Sequence, residues 1–129
     1  MARHDLELGE AELGVMRVLW DRSPLTVRDV LHRLNEQGRD LAYTTVQTFL
    51  TRLERKGCVS SDKGGAAFVY RPRVSREQVA RRRVGDLLDE LFDGAAGPMV
   101  LHLVESGRLS DEELSQVRRL IRDLDSKRP

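Results

Sequence analysis

The chain has 129 residues, 33% of them charged, with a formal net charge of +1 and a single cysteine. That length suits one domain or two very small ones, and one cysteine excludes an intrachain disulfide and a cysteine-rich metal cage. No apolar run approaches the roughly 18 residues that cross a bilayer, and the start "MARHDLELGE" has no signal-peptide core, so the sequence reads as soluble and cytoplasmic.

The first helix is "GEAELGVMRVLWDR", in which Leu13, Met16, Leu19 and Trp20 recur at helical spacing. "SPL" breaks it. Thr26 begins a second helix, with Asp29 three residues on in a capping arrangement. Val27, Val30, Leu31 and Leu34 form its buried stripe, and Gly38 ends it. The third helix is "AYTTVQTFLTRLERKG", residues 42–57. Val46, Phe49, Leu50 and Leu53 fall at i, i+3, i+4 and i+7, one buried face, and Gly57 is the stop. Cys58, Val59 and Ser60 read as a strand and "DKGG" as a turn. "AAFVYRP" reads as a second strand with Phe68 and Tyr70 on one face, closed by Pro72. Three helices followed by a hairpin is the winged helix-turn-helix plan.

Ser75 opens a long helix with Gln78 at the capping-box position and an apolar set of Val79, Val84, Leu87, Leu88, Leu91 and Phe92. "DGAAG" ends it, and Pro98 begins a short apolar helix, "PMVLHLVE". Ser110 with Glu113 caps a last helix, and the tail "DSKRP" frays. These helices carry more apolar side chains than roughly 55 residues bury alone, and small helical units of this size often need a second chain. The predicted fold is mainly α with a small β-hairpin: a winged helix-turn-helix domain over residues 1–74 and a three-helix dimerisation domain over 75–129. The dimer interface is predicted at Leu87, Leu88, Leu91, Val100, Leu101, Leu103, Leu114, Val117, Leu120, Ile121 and Leu124. The alternative is that these helices fold back onto the winged domain within one monomer.

The small net charge hides an asymmetry: residues 1–40 carry −2, residues 41–83 carry +7 and residues 84–129 carry −4. Local basicity of this kind is an electrostatic footprint for a polyanion. On the third helix, Thr44, Thr48, Thr51 and Arg55 fall at i, i+4, i+7 and i+11, opposite the apolar stripe, with Gln47 and Arg52 beside them. The second helix of a helix-turn-helix motif lies in the major groove. There Thr can donate or accept and pack its methyl on thymine, Gln can pair with adenine, and Arg can reach guanine or a phosphate. Short threonines also let the helix backbone approach the duplex closely. At the hairpin tip, Lys63 with Gly64 and Gly65 suits a phosphate, and Arg71 and Arg73 lie just beyond. The run Arg81, Arg82 and Arg83 reads as a solvated face, an intersubunit ion-pair site or an extra phosphate contact.

"AYTTVQTFLTRLERKG" followed by "FVYRP" resembles the penicillinase-repressor family of winged-helix transcriptional regulators, which includes copper-responsive relatives. "LGEAELGVMRVLW" is similar to the family's first helix, and "VLHLVESGRLSDEELSQVRRLI" to its C-terminal dimer segment. The resemblance covers about residues 6–125. It implies a homodimeric repressor of transcription on a two-fold symmetric operator with TACA/TGTA half-sites. It places base reading at Thr44, Thr45, Gln47 and Thr48, with Thr51 and Arg52 toward the backbone. In well-known members a membrane-bound β-lactam sensor triggers cleavage at an Asn-Phe bond in the short dimer-domain helix; the matching pair here is His102 and Leu103. The copper branch carries paired C-terminal CxC motifs, and this chain has none.

An enzyme is not expected, and neither is a metal or cofactor. His4, His32 and His102 are scattered, none with a metal-ligand or triad neighbour at useful spacing. There is no glycine-rich phosphate loop followed by Lys-Ser/Thr. Cys58, beside Val59, reads as a small core residue. The competing function is a winged helix used only for protein contacts, since fold alone does not fix function; the basic middle third and the threonine face argue against it.

Overall fold

The structure is a computed structural model that describes residues 5–127. Its elements are α1 (Glu10–Asp21), α2 (Val27–Glu36), α3 (Tyr43–Arg55), β1 (Val59–Asp62), β2 (Val69–Pro72), α4 (Arg76–Phe92), α5 (Ala96–Glu105) and α6 (Asp111–Ser126). They form two compact units, one through Val84 and the other from Gly85, so the division falls inside α4. The structure is mainly helical with one two-stranded hairpin, the fold class expected from the sequence.

In the first unit the apolar stripes of three helices meet. Val15, Met16 and Leu19 of α1, Val30 and Leu34 of α2, and Val46, Leu50 and Leu53 of α3 are all buried, with Val59 of β1 and Val79 of α4. Local sequence sets the helix ends. Thr26 Oγ1 accepts from the Asp29 amide at 3.1 Å and the Asp29 carboxylate accepts from the Thr26 amide at 3.2 Å, a reciprocal box at the start of α2. Helix α3 stops at Gly57, whose φ of +80° belongs to the left-handed region. The Gly57 amide then donates to Glu54 O at 3.0 Å and the Cys58 amide to Leu53 O at 2.8 Å, closing the last turn.

The hairpin is antiparallel, with Ser60 opposite Arg71 and Ser61 opposite Tyr70. Leu25, in the link between α1 and α2, adds a bridge to it: the Tyr70 amide donates to Leu25 O at 2.8 Å. Three strand boundaries differ from expectation: β1 runs on through Ser61 and Asp62, which was expected in the turn and instead stands opposite Val69. β1 begins at Val59 rather than Cys58, because the Cys58 amide is used in closing α3. β2 begins at Val69, and Ala66, Ala67 and Phe68 stay outside it. The Gly64 amide donates to the Asp62 carboxylate at 2.9 Å, an Asx turn that leads the chain out of the ladder after Asp62. Tyr70 is buried, whereas Phe68, outside the strand, is 47% exposed.

The second unit holds the end of α4 with α5 and α6. Helix α5 begins at Ala96, two residues before the expected Pro98. Pro98 sits in the first turn, where backbone N–H groups lack intrahelical partners, so the ring costs nothing there. Ser110 and Glu113 form the expected box on α6: the Glu113 amide donates to Ser110 Oγ at 3.1 Å and the Ser110 amide to Glu113 Oε1 at 2.9 Å. The bond from the Ser110 amide, and after it the Ser110 side chain, hold the Glu113 carboxyl below the usual range. Helix α6 continues through Ser126, so Asp125 and Ser126 are helical where fraying was expected; Arg128 and Pro129 lie outside the described residues. No side chain of α5 or α6 is buried. Leu87, Leu91, Val100, Leu101, Leu103, Leu120, Ile121 and Leu124 are each 40–68% exposed, while Leu88, Leu114 and Val117 are half-buried. No helix among the described residues is long and apolar enough to cross a membrane.

Candidate nucleic-acid interface

Burial of Val46, Leu50 and Leu53 fixes the rotation of α3 and leaves Thr44, Gln47, Thr48, Thr51, Arg52 and Arg55 exposed, with Thr45 half-buried. The helix is held at both ends. Before it, the Asn35 side chain accepts from the Leu41 amide at 2.9 Å and donates to Leu41 O at 3.2 Å, fixing the turn from α2. After it, Lys56 Nζ donates to Glu12 Oε1 at 3.0 Å and to Glu7 O at 2.8 Å, tying the helix end to α1. The Glu54 carboxylate accepts from Ser61 Oγ at 2.6 Å and from its amide at 3.2 Å, tying α3 to β1.

Two threonines have a defined polarity. Thr48 Oγ1 donates to Thr44 O and Thr51 Oγ1 donates to Gln47 O, both at 2.9 Å. With each hydroxyl proton bonded back to the helix, the side chain turns outward only oxygen lone pairs and its methyl group. The sequence allowed these threonines to donate or accept; this geometry makes them acceptors.

The start of α2, the start of α3 and the hairpin enclose a cleft of about 480 Å3, lined by Thr26, Arg28, Tyr43, Gln47, Phe68 and Tyr70 among others. Arg28 stacks over the Tyr43 ring at 5.6 Å, and Lys63 Nζ lies 5.1 Å from the centre of the Phe68 ring. The fold thus brings Gln47 and the hairpin aromatic together, with Lys63 at its edge. Thr44, Thr48, Thr51 and Arg55 share the outward stripe of α3. Arg71 is exposed on β2 next to Tyr70, and no described contact joins it to α3. The sequence reading missed Arg28 and Tyr43. Arg28 falls in the segment of net charge −2, which masked it, and only the packing of α2 against α3 brings it to Tyr43.

The charge on this side is uncompensated. Arg28, Arg52, Arg55, Lys63 and Arg71 make no ion pair among the described residues. The neighbouring acids are committed elsewhere: Asp29 to the α2 cap, Glu54 to Ser61, Asp62 to its own turn. Cations without ion-pair partners beside a polar helix face with a single carboxylate attract a polyanion.

The other candidates are not gathered into a site. No group of His, Cys, Asp and Glu among the described residues could hold a metal ion. His32 pairs with Glu36 at 2.7 Å on the surface of α2, His102 is exposed on α5, and His4 lies outside the described residues. Cys58 is buried, its Sγ 3.2 Å from Asp5 O, and burial raises its thiol pKa, as befits a core residue.

Comparison with known proteins points the same way. The sequence profile of the penicillinase repressor family matches residues 8–123. The chain is 36% identical over 121 residues to the transcriptional regulator BlaI of Mycobacterium tuberculosis, covering 92% of this chain and 86% of that protein. It is 29% identical over 117 residues to the penicillinase repressor of Bacillus licheniformis, covering 91% of each. The solution structure of the DNA-binding domain of the repressor BlaI superimposes with a TM-score of 0.52 at 32% identity, covering 57% of this chain and 89% of that one.

Proposed function

The chain belongs to the penicillinase repressor family, and on that premise we propose that it represses transcription by binding double-stranded operator DNA with α3 in the major groove. It is a DNA-binding regulator and not an enzyme. The observation that carries this reading is the outward face of α3, rotationally fixed, with its one carboxylate, Glu54, bonded to Ser61, and flanked by cations without ion-pair partners among the described residues. Thr44, Thr45, Gln47 and Thr48 read base edges. Thr51 and Arg52 face the sugar–phosphate backbone, and Arg55, Lys63 and Arg71 neutralise phosphates, joined by Arg28. With its hydroxyl proton committed, Thr48 favours base amino groups and thymine methyls over base acceptors, and Thr51 meets the sugar–phosphate backbone through its methyl group.

The repressor acts in the cytoplasm as a homodimer. Exposure of the apolar stripes of α5 and α6 supports pairing through the second unit, with the eleven leucine, valine and isoleucine positions named from the sequence at or near the interface. Two α3 helices then enter successive major grooves, and the operator is a near-palindrome of the TACA/TGTA kind with half-sites about 34 Å apart or a multiple of that. His102 and Leu103 lie within α5, where the Ser106 amide donates to His102 O at 2.9 Å. Cleavage at that pair requires α5 to unwind, and the pair departs from Asn-Phe. That departure speaks against release of repression by the same β-lactam sensor protease.

Selection from a random duplex pool tests this. Enrichment of a two-fold symmetric sequence, lost when Thr44, Gln47 and Thr48 are all changed to Ala, is expected. Enrichment of no common sequence, or of one that the triple variant binds equally well, contradicts it.

A further inference from the structure

A second concavity lies within the first unit, on α1 and the first turns of α4, and the DNA reading makes no use of it. It encloses about 340 Å3. Leu13, Trp20, Val79 and Val84 give it an apolar floor, and Arg17, Arg76 and Arg83 also line it. None of these arginines makes an ion pair among the described residues. Two of them are nonetheless positioned. Arg83 Nη1 donates to Leu8 O at 2.9 Å, and the Arg76 guanidinium lies 5.7 Å from the centre of the Trp20 ring. A carbonyl oxygen and a ring face orient a guanidinium without cancelling its charge.

We propose that this groove binds a small amphipathic organic anion: an aryl or alkyl body carrying one carboxylate. The apolar floor removes the body from water, and the guanidiniums supply charge-assisted, forked donors matched to a carboxylate. The volume is at the lower end of small-molecule sites, roughly 300–1,000 Å3, which selects a compact ligand over a peptide. Charge complementarity selects an anion: three arginines line one short groove and no acid does.

Trp20 is the only tryptophan in the chain and lines the groove, so its emission reports on occupancy. Full-length protein is titrated with 4-phenylbutyrate, excited at the red edge of indole absorption, with 4-phenylbutan-1-ol as the neutral isostere. The acid is expected to give a saturable change and to bind about a hundredfold more tightly than the alcohol, about tenfold for each of two charge-assisted contacts. Arg17→Met and Arg76→Met, both at exposed positions, each weaken the acid about tenfold and leave the alcohol unchanged. Circular dichroism checks that the variants fold. No saturable change, equal affinity for acid and alcohol, or unchanged affinity in both variants overturns the proposal. So does tighter binding of hexaglutamate than of 4-phenylbutyrate, which gives the groove to an acidic peptide. DNA binding is not read in this experiment, so its failure leaves the repressor reading standing.

Discussion

Gln47 and Arg52 stand on the same exposed side of α3, and their chemistry separates their roles. A side-chain amide that pairs bidentately with a base discriminates between bases, whereas a guanidinium on a phosphate does not. Gln47→Ala should therefore relax preference at one base pair per half-site, by about 1–3 kcal/mol, measured on a panel of single-base operator variants. Arg52→Ala should weaken binding to every member of that panel alike and reduce the salt slope by about 1. Cys58 gives a second prediction at this scale. Its thiol pKa is raised, mainly by burial. The folded state thus holds the thiol proton more tightly than the unfolded chain, and the stability this contributes is fully present below about pH 8.5. Stability should decline as pH rises past that value, and less so in Cys58→Ala, by urea denaturation across the range. The threonine stripe was legible from spacing alone, because a helix whose buried face is known has a known opposite face. The back-bonding of Thr48 and Thr51 was not, because a rotamer is not written in a spacing, nor was the stacking of Arg28 on Tyr43, which depends on how two helices pack.

At the scale of elements, the proposed reading makes the first unit the support that aims α3. Leu50 is fully buried, and Leu50→Ala should cost about 2–5 kcal/mol with loss of DNA binding that tracks unfolding. Thr26→Ala removes the hydroxyl from the α2 cap and should cost about 1 kcal/mol, read as a lower urea midpoint. Helix starts were legible because Thr26, Ser75 and Ser110 are capping residues with acceptors three positions on, and all three boxes form. Strand ends were less legible. A turn that recruits the Asp62 side chain and a helix that borrows the Cys58 amide both take residues that alternation alone assigned to the ladder. The start of α5 was misplaced because proline was read as the first residue, when any position of the first turn tolerates it.

At the scale of the whole molecule, apolar stripes that find no burial within the chain support a second copy as the partner. Leu120 and Leu124 are both more than 60% exposed, so replacing both with Glu should leave the monomer fold intact. Sedimentation equilibrium should then show a monomer where the unaltered chain is a dimer, with weaker operator binding. The alternation of a basic middle third with acidic flanks is the charge pattern on which the account places DNA there. The most direct test of the central claim is fluorescence anisotropy of the full chain on DNA from its own promoter region and on the selected near-palindrome, against a scrambled duplex, over a series of salt concentrations. The account predicts selective binding of the palindrome by two protomers, with log K falling linearly in log salt by about 0.9 per phosphate neutralised. Equal binding to the scrambled duplex, or no binding at low salt to any duplex, contradicts it and gives the threonine face to a protein partner.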